Sequence, residues 1–306
     1  MLITGGAGFI GSHIAEHFGK VGHAHQDTEV VVLDNLRSGF RKNLAGVNCR
    51  LIEGSVTDPA AVREAVKGVD TVFHLAAMIS VPESMSKPRE CVEINTQGTL
   101  IVLEEAARAG VKKLCFSSSA AIYGDNPTVP KLETMLPEPK SPYAVTKLDG
   151  EYYCKMFSNE GWLKTACMRY FNVFGPRQDP KSQYAAAVPI FIEKSIANLP
   201  ITIYGDGEQT RDFVYVKDIV AANVFLAQNP DITGVYNIGY GGSITVNDLG
   251  KKIVALTGTA SAIRYAPARA GDVRHSRASA DKIRAAGLVL DSNFDAGLAE
   301  TITFFR

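Results

Sequence analysis

This sequence has no surplus of either charge: its 306 residues carry 32 lysines and arginines against 32 aspartates and glutamates. A balanced surface removes the electrostatic case for a nucleic-acid or anionic-membrane partner. Long apolar runs are missing too. Val30-Val31-Val32-Leu33 is typical of the longest; it suits a buried strand and falls far short of the roughly 20 residues that cross a bilayer. Cys49, Cys91, Cys115, Cys154 and Cys167 are odd in number and contain no C-x-x-C pair. That argues against a disulfide frame or a thiolate metal site and fits free thiols in a reducing cytoplasm. The only H-x-x-x-H pair is His13 and His17. It lacks the glutamate of a zincin motif and reads as a solvated helix face, so no metal is expected. No basic-then-apolar leader stands ahead of Thr4, which again points to the cytoplasm. Repeats and low-complexity tracts are absent.

What the chain does have is alternation. Short apolar segments at Leu2–Thr4, Val30–Leu33, Arg50–Ile52, Thr71–Leu75, Leu114–Ser117 and Ala166–Arg169 predict strands. Amphipathic segments between them predict helices, and the alternation implies βαβ units with a parallel sheet. A helix over Gly11–Val21 follows a glycine-rich turn directly. Asp58-Pro59 and Ser141-Pro142 are cap-then-proline starts. Leu100, Leu103 and Ala107 line one side of a helix that ends near Gly110. Past Asn172 the alternation loosens into loops at Gly175-Pro176, Asp179-Pro180, Gly205-Asp206-Gly207 and Gly241-Gly242. The expected architecture is α/β. A Rossmann-type doubly wound parallel sheet occupies 1–171, and the chain re-enters it at about 213–239. A smaller, discontinuous C-terminal α/β domain is built from 172–212 and 240–306.

Thr4-Gly5-Gly6-Ala7-Gly8-Phe9-Ile10-Gly11 ends a strand and opens a helix. Glycines at 5, 8 and 11 let the backbone approach a dinucleotide pyrophosphate, and the helix terminus offers N–H groups to it. Asp34 ends the next strand, 23 residues past Gly11, where a carboxylate can accept from an adenosine ribose and repel a 2′-phosphate. NAD is therefore favoured over NADP. Arg37 is the residue that argues the other way, since it could hold that phosphate.

Tyr143 and Lys147 stand four apart on one helix face. A tyrosine that acts as a base near neutrality must drop by about three pH units, roughly 4 kcal/mol of differential stabilisation. Lys147 and an oxidised nicotinamide are the expected sources of positive charge. Ser117-Ser118-Ser119 ends a strand at the carboxyl edge of the sheet, where open α/β sheets bind ligands. Ser119 is the choice for a proton shuttle to the tyrosine; Ser118 is the alternative that merely satisfies the strand end. These features describe a nicotinamide-dependent enzyme with a tyrosine acid/base.

Taken with Asp34-Asn35, His74-Leu75-Ala76-Ala77, Tyr123-Gly124 and Arg169-Tyr170-Phe171-Asn172, the motifs resemble the extended short-chain dehydrogenase/reductase superfamily. Within it the chain is similar to nucleotide-sugar 4-epimerases over nearly its full length. The resemblance implies bound NAD. It also implies that Tyr143 takes the proton of the sugar 4-hydroxyl while Ser119 contacts O4 and Lys147 grips the nicotinamide ribose. Gly5, Gly8, Phe9, Ile10, Gly11, Asp34, Asn35, Ser38 and Gly39 would line the adenosine and pyrophosphate site. Ser55 and Val56 would lie at the adenine, with Ser55 where many relatives carry Asp. Leu75, Ala76, Ala77, Asn95, Ser117 and Phe171 would border the remainder of the cofactor.

By residue type alone, Arg211 and Arg269 read as solvated surface charges. The resemblance makes them pyrophosphate ligands for a UDP-sugar, with Asp272 at the ribose and Ile203 and Tyr204 near the uracil. Asn172 would bind a phosphate or sugar oxygen. Ser80, Ala186, Val188 and Ser276 would surround the sugar. Relatives that dehydrate carry an Asp-Glu pair after the position of Ser119; Ala120 and Ala121 here cannot transfer protons. Tyr184-Ala185-Ala186 and Gly271-Asp272-Val273-Arg274-His275-Ser276 resemble epimerases acting on UDP-N-acetylglucosamine. Small residues there leave room for a 2-acetamido group, while Ile79 departs from the small residue of the acetamido-selective enzymes. The expected activity is a UDP-hexose 4-epimerase that interconverts UDP-GlcNAc and UDP-GalNAc and extends to UDP-glucose and UDP-galactose. Competing readings are another nucleotide-sugar enzyme of the superfamily (reductase, decarboxylase or dehydratase) and a non-catalytic NAD sensor. The resemblance further implies a homodimer through Val92–Ala109 and Tyr143–Asn159.

Overall fold

The strands of the first half are too short to be stable alone, and all but Arg50–Glu53 are largely buried, so they must assemble into one sheet. A computed structural model describes residues 1–20, 28–180, 186–268, 273–291 and 293–306. In chain order the first half contains β1 (Leu2–Thr4), α1 (Phe9–Gly19), β2 (Val31–Asp34), β3 (Arg50–Glu53), α2 (Pro59–Ala65), β4 (Thr71–His74), α3 (Val81–Ser86), α4 (Pro88–Val92), α5 (Gly98–Arg108), β5 (Lys113–Ser119), α6 (Pro142–Asn159) and β6 (Lys164–Tyr170). There follow β7 (Asn172–Phe174), α7 (Ala187–Ile196), β8 (Ile201–Tyr204), β9 (Thr210–Arg211), β10 (Phe213–Tyr215), α8 (Val216–Gln228), β11 (Gly234–Ile238), β12 (Ile244–Thr245), α9 (Val246–Thr257), β13 (Ile263–Ala266), β14 (His275–Ser276), α10 (Asp281–Ala285) and α11 (Phe294–Phe305).

Seven strands form the main sheet in the order β3-β2-β1-β4-β5-β6-β11, and every neighbouring pair is parallel. Alternate side chains feed two cores, as a sheet covered on both faces requires. Ile3, Val32, Phe73 and Met168 join α1 and α8 on one face. Leu2, Val31, Val72, Leu114 and Phe116 join α2, α5 and α6 on the other. The order reverses between β1 and β4, the place where such sheets bind ligands beyond their carboxyl ends.

The proline starts behave as predicted: Asp58 accepts from the Ala60 N–H at 2.9 Å and Ser141 from the Ala144 N–H at 3.2 Å. The helix expected over Val92–Ala109 runs without a break into α5; a π-helical turn at Glu93–Gln97 joins α4 to α5 within it. The strand expected to end at Ser117 runs on to Ser119, and α1 begins at Phe9, inside the glycine turn. Val21, the expected end of that helix, lies outside the described residues.

His13 corrects the expectation of a solvated face. It is buried against the second half, with its Nε2 2.9 Å from the Pro176 carbonyl, and burial lowers its pKa. The partner loop is distant in sequence, so helical spacing alone could not reveal it. Cys91, Cys115, Cys154 and Cys167 are buried and, with the half-buried Cys49, are free thiols.

A third core, around Phe174, Val188, Phe191, Ile192, Ile203, Phe213, Val216, Leu249 and Leu298, holds α7, α9 and α11 against small sheets. The three-stranded one has the order β12-β9-β14, and β13 pairs with β8. No helix among the described residues is long and apolar enough to cross a membrane.

Candidate active site

The turn after β1 is built for close approach. Gly5 takes φ +70°, and a Cβ on it would sit 2.8 Å from the Ala76 nitrogen; a Cβ on Gly11 would sit 2.2 Å from the Gly5 carbonyl oxygen. Gly8 caps α1 without any side-chain hydrogen bond, which leaves first-turn N–H groups at Phe9, Ile10 and Gly11 for an anion. Asp34 is buried and accepts from the Ala7 N–H at 2.9 Å and the Leu36 N–H at 2.8 Å, fixing the loop that follows β2. Asn35 and Ser38 are exposed beside it, and Gly39 lies against Ala7, 2.9 Å for a Cβ there. This cradle, emptied of side chains and lined with N–H groups, fits a dinucleotide. Arg37 is not poised for a 2′-phosphate, because its guanidinium is ion-paired with Glu83 and Glu90.

The next loop is held by a buried polar chain. Thr4 Oγ1 accepts from the Leu75 and Ala76 N–H groups, both at 3.2 Å. Its own proton therefore goes to His74 Nδ1, 2.7 Å away, and His74 Nε2–H is left to donate to Thr99 Oγ1 at 2.9 Å. The ring stays neutral because burial, with Lys147 adding to the effect, lowers its pKa to about 3. Asn95 sits in the π-helical turn and spends its amide on the protein: it accepts from the Met78 N–H at 2.7 Å and donates to Thr146 Oγ1 at 3.0 Å. It thus ties the loop at 75–78 to α6 rather than presenting its own polar atoms to a ligand. Val56 is buried against Gly98 and Ser55 is engaged with Thr57 at 2.8 Å.

At the carboxyl edge of β5 the expected triad assembles. The Ser119 hydroxyl lies beside the Tyr143 phenol, near enough to draw its pKa down, and accepts from the Ala121 N–H at 3.1 Å. Lys147 is buried and donates from Nζ to the Ser117 carbonyl at 2.7 Å. Ser118 points elsewhere, donating to Glu151 Oε1 at 2.5 Å. Phe171 is buried 6.3 Å from Tyr123, ring to ring.

The electrostatics of this triad differ from expectation. Burial pushes the Tyr143 phenol above its usual range, against the opposing pull of the Ser119 hydroxyl beside it. Lys147 is 5.9 Å from the Tyr143 ring centre, and its own pKa falls to about 8 through burial. The protein alone therefore does not bring Tyr143 to neutrality.

The residues expected around a nucleotide sugar are arranged less uniformly. Arg211 and Ser276 are directly paired between β9 and β14. Asn172 Nδ2 donates to the Asp212 carbonyl at 3.3 Å, next to Arg211. Alternation along β8 turns Ile203 into the third core and leaves Tyr204 outward, 38% exposed. Val188 is likewise 1% exposed in that core, because its helix must bury an apolar stripe against α9. Ile203 and Val188 thus offer no open surface in this conformation. Ser80 uses its hydroxyl to cap α3, accepting from the Glu83 N–H at 3.1 Å; Ala186 is exposed at the start of α7. Arg269 and Asp272, with Tyr184 and Ala185, lie outside the described residues.

A buried network beside the triad is absent from the sequence-level reading. It links Ser118, Glu151, Arg169, Tyr123 and Asn237. Its members are far apart in the chain, and only the i+4 step from Lys147 to Glu151 signals it locally.

Comparison with known proteins agrees with this geometry. Residues 1–239 match the model of the NAD dependent epimerase/dehydratase family. A putative UDP-glucose 4-epimerase of Methanocaldococcus jannaschii is 33% identical over 308 residues, covering 100% of this chain and 98% of that protein. Among solved structures, UDP-N-acetylglucosamine 4-epimerase from Methanobrevibacter ruminantium M1, in complex with UDP-N-acetylmuramic acid, superposes with a TM-score of 0.93 at 39% identity. That likeness covers 99% of this chain and 97% of the other. The UDP-glucose 4-epimerase of Thermus thermophilus, in complex with NAD, gives a TM-score of 0.89 at 37% identity over 100% and 98% of the two chains.

Proposed function

The chain belongs to the NAD dependent epimerase/dehydratase family, and from that premise we propose that it is a UDP-hexose 4-epimerase acting on the UDP-GlcNAc/UDP-GalNAc and UDP-glucose/UDP-galactose pairs. The observation that carries the reading is Ser119 beside the Tyr143 phenol at the sheet edge, with Lys147 one helical turn along and 5.9 Å from the phenol ring centre. Gly5, Gly8, Phe9, Ile10, Gly11, Asp34 and Gly39 hold NAD. When bound, NAD supplies the hydride acceptor and donor at the sugar C4 carbon.

Tyr143 takes the proton of the 4-hydroxyl and returns it, with Ser119 as the bridge between phenol and sugar oxygen. A positive charge beside a buried phenol favours its ionised form. An oxidised nicotinamide held beside Tyr143 would supply such a charge. Ala120 and Ala121 follow Ser119 with no group able to protonate a departing 6-hydroxyl, so turnover stops at inversion. Arg211 and Arg269 grip the pyrophosphate, Asp272 the ribose, and Tyr204 lies against the base. Ala186 and Ser276 leave volume for a 2-acetamido group.

The protein works as a cytoplasmic homodimer in this reading. Val92, Val145, Tyr152 and Met156 are exposed on α4 and α6, which gives that face an apolar surface to cover. The test is a product assay with UDP-GlcNAc and UDP-glucose and no added cofactor. Accumulation of both 4-epimers without release of NADH is expected. Stoichiometric NADH with product would favour a net oxidation instead, and no turnover of either acetylated substrate would refute the steric argument.

A further inference from the structure

The reactive face of α6 continues past Lys147. Glu151 lies four residues on, and nothing in the chemistry above uses it. Its carboxylate is buried and accepts from Ser118 Oγ at 2.5 Å, Arg169 Nε at 2.9 Å and Arg169 Nη2 at 2.7 Å. Both members of the ion pair have side chains only 4% exposed. Replacing such a buried pair by apolar residues is often neutral or stabilising, so a stability role alone gives little reason for it.

Its placement gives a better one. Ser118 and Arg169 are directly paired between β5 and β6, so Glu151 closes a triangle between the helix that carries Tyr143 and Lys147 and two neighbouring strand ends. Ser119 follows one apex immediately. From the other apex, Arg169 Nη1 donates to the Tyr123 hydroxyl at 2.9 Å, which donates to Asn237 Oδ1 at 2.6 Å. Asn237 in turn holds the 131–133 segment through Glu133 Oε1 at 2.8 Å and the Lys131 carbonyl at 2.9 Å. The chain between Ser119 and Ser141 is thereby fastened at Tyr123 and again at 131–133.

We propose that Glu151, Arg169 and Tyr123 are positioning residues for the epimerisation: together they set the spacing between Ser119 and the Tyr143–Lys147 face of α6. This rests on the epimerase reading above. The pair's charges cancel, so losing one partner would unbalance the field near Tyr143. The titratable groups around it are Lys147, Tyr152 and Lys155 with Cys154 on α6, Cys167 on β6, Tyr123, Glu133, and Asp281 with Lys282 on α10.

Steady-state epimerisation of UDP-GlcNAc across pH, with melting curves in parallel, tests this on wild type, Tyr123→Phe, Glu151→Gln, Arg169→Met and the double variant Glu151→Met/Arg169→Met. The folded double variant should keep its KM and lose kcat by roughly 10- to 100-fold, the scale expected for misplaced catalytic groups. Glu151→Gln should move the acidic limb of the pH–rate profile downward, and Arg169→Met should move it upward. A purely structural role predicts no such opposed shifts. A folded double variant with wild-type kcat overturns the inference. If it does not fold, Tyr123→Phe decides: reduced kcat at unchanged KM supports positioning, and unchanged kcat overturns it. A wild type that epimerises no UDP-hexose removes the parent reading and this one together, whereas an active wild type with insensitive variants removes this one alone.

Discussion

The two halves of the molecule hold their candidate residues in different ways. In the main sheet, Ser119, Tyr143 and Lys147 come from one strand and one helix that share a core and a network of short hydrogen bonds. In the second half, Arg211 and Ser276 ride on two-residue strands, and the principal fastening is Asp212. That buried carboxylate accepts from the Tyr240, Gly241 and Ala278 N–H groups at 3.0, 2.9 and 3.1 Å. The proposed reacting groups are thus fixed redundantly, while the β9–β14 part of the surface proposed for the nucleotide sugar is fastened chiefly through one carboxylate among the described residues. An epimerase needs that asymmetry, because the sugar must turn over while the acid/base stays still.

Four experiments would break or sharpen the contrast. Tyr143→Phe should leave NAD bound and lower kcat by roughly 10²–10⁴-fold, the share of a positioned acid/base; single-turnover assays would read it. Lys147 gives a stability signature in cofactor-free protein. Its folded pKa, about 8, lies below the ordinary value of 10.5. Below pH 8 both states are protonated and the burial cost is full. Between pH 8 and 10.5 the folded state releases its proton first, so stability rises with pH, by about 3 kcal/mol over the window. Urea midpoints of wild type and Lys147→Met, compared at both ends, should differ in slope; parallel pH dependences would contradict the burial argument.

Asp212→Ala leaves three backbone N–H groups without their acceptor and should destabilise by about 2 kcal/mol. The loss in UDP-sugar affinity should exceed the loss in NAD affinity, as isothermal titration of each ligand would reveal. Ser276→Tyr should be the mildest. It would cost about tenfold in kcat/KM for UDP-GlcNAc, the scale of a steric change in a pocket, and leave UDP-glucose nearly unchanged. Equal loss on both substrates would detach Ser276 from sugar selection.

The parallel sheet and the glycine cradle were legible because their signals are local: short apolar runs alternating with amphipathic segments, glycines at fixed spacing, and a carboxylate at the end of β2. Tyr143 and Lys147 were legible for the same reason. The direction of the Tyr143 pKa was not, since burial outweighs the Ser119 hydroxyl that draws it down. Long-range pairings were equally hidden. Lys113 fills a core strand position by sending its ammonium to the Pro230 and Ile232 carbonyls, at 3.1 and 2.6 Å. His13 finds Pro176, and Glu151 finds Arg169 across the helix–sheet boundary. Ile203 and Val188 show the converse, where alternation and helix packing put the side chain inside although family likeness suggested a ligand-facing wall.

The pairing of Arg211 with Ser276 has a consequence for how such a pocket can change. In a ladder, a slip of one residue turns every side chain to the opposite side, so inserting or deleting a residue in β14 would displace the Ser276 hydroxyl proposed to face the sugar and disturb the arginine's neighbour at once. Selectivity on this scaffold is therefore free to drift through replacement of single side chains, and closed to drift through changes in loop length at that place.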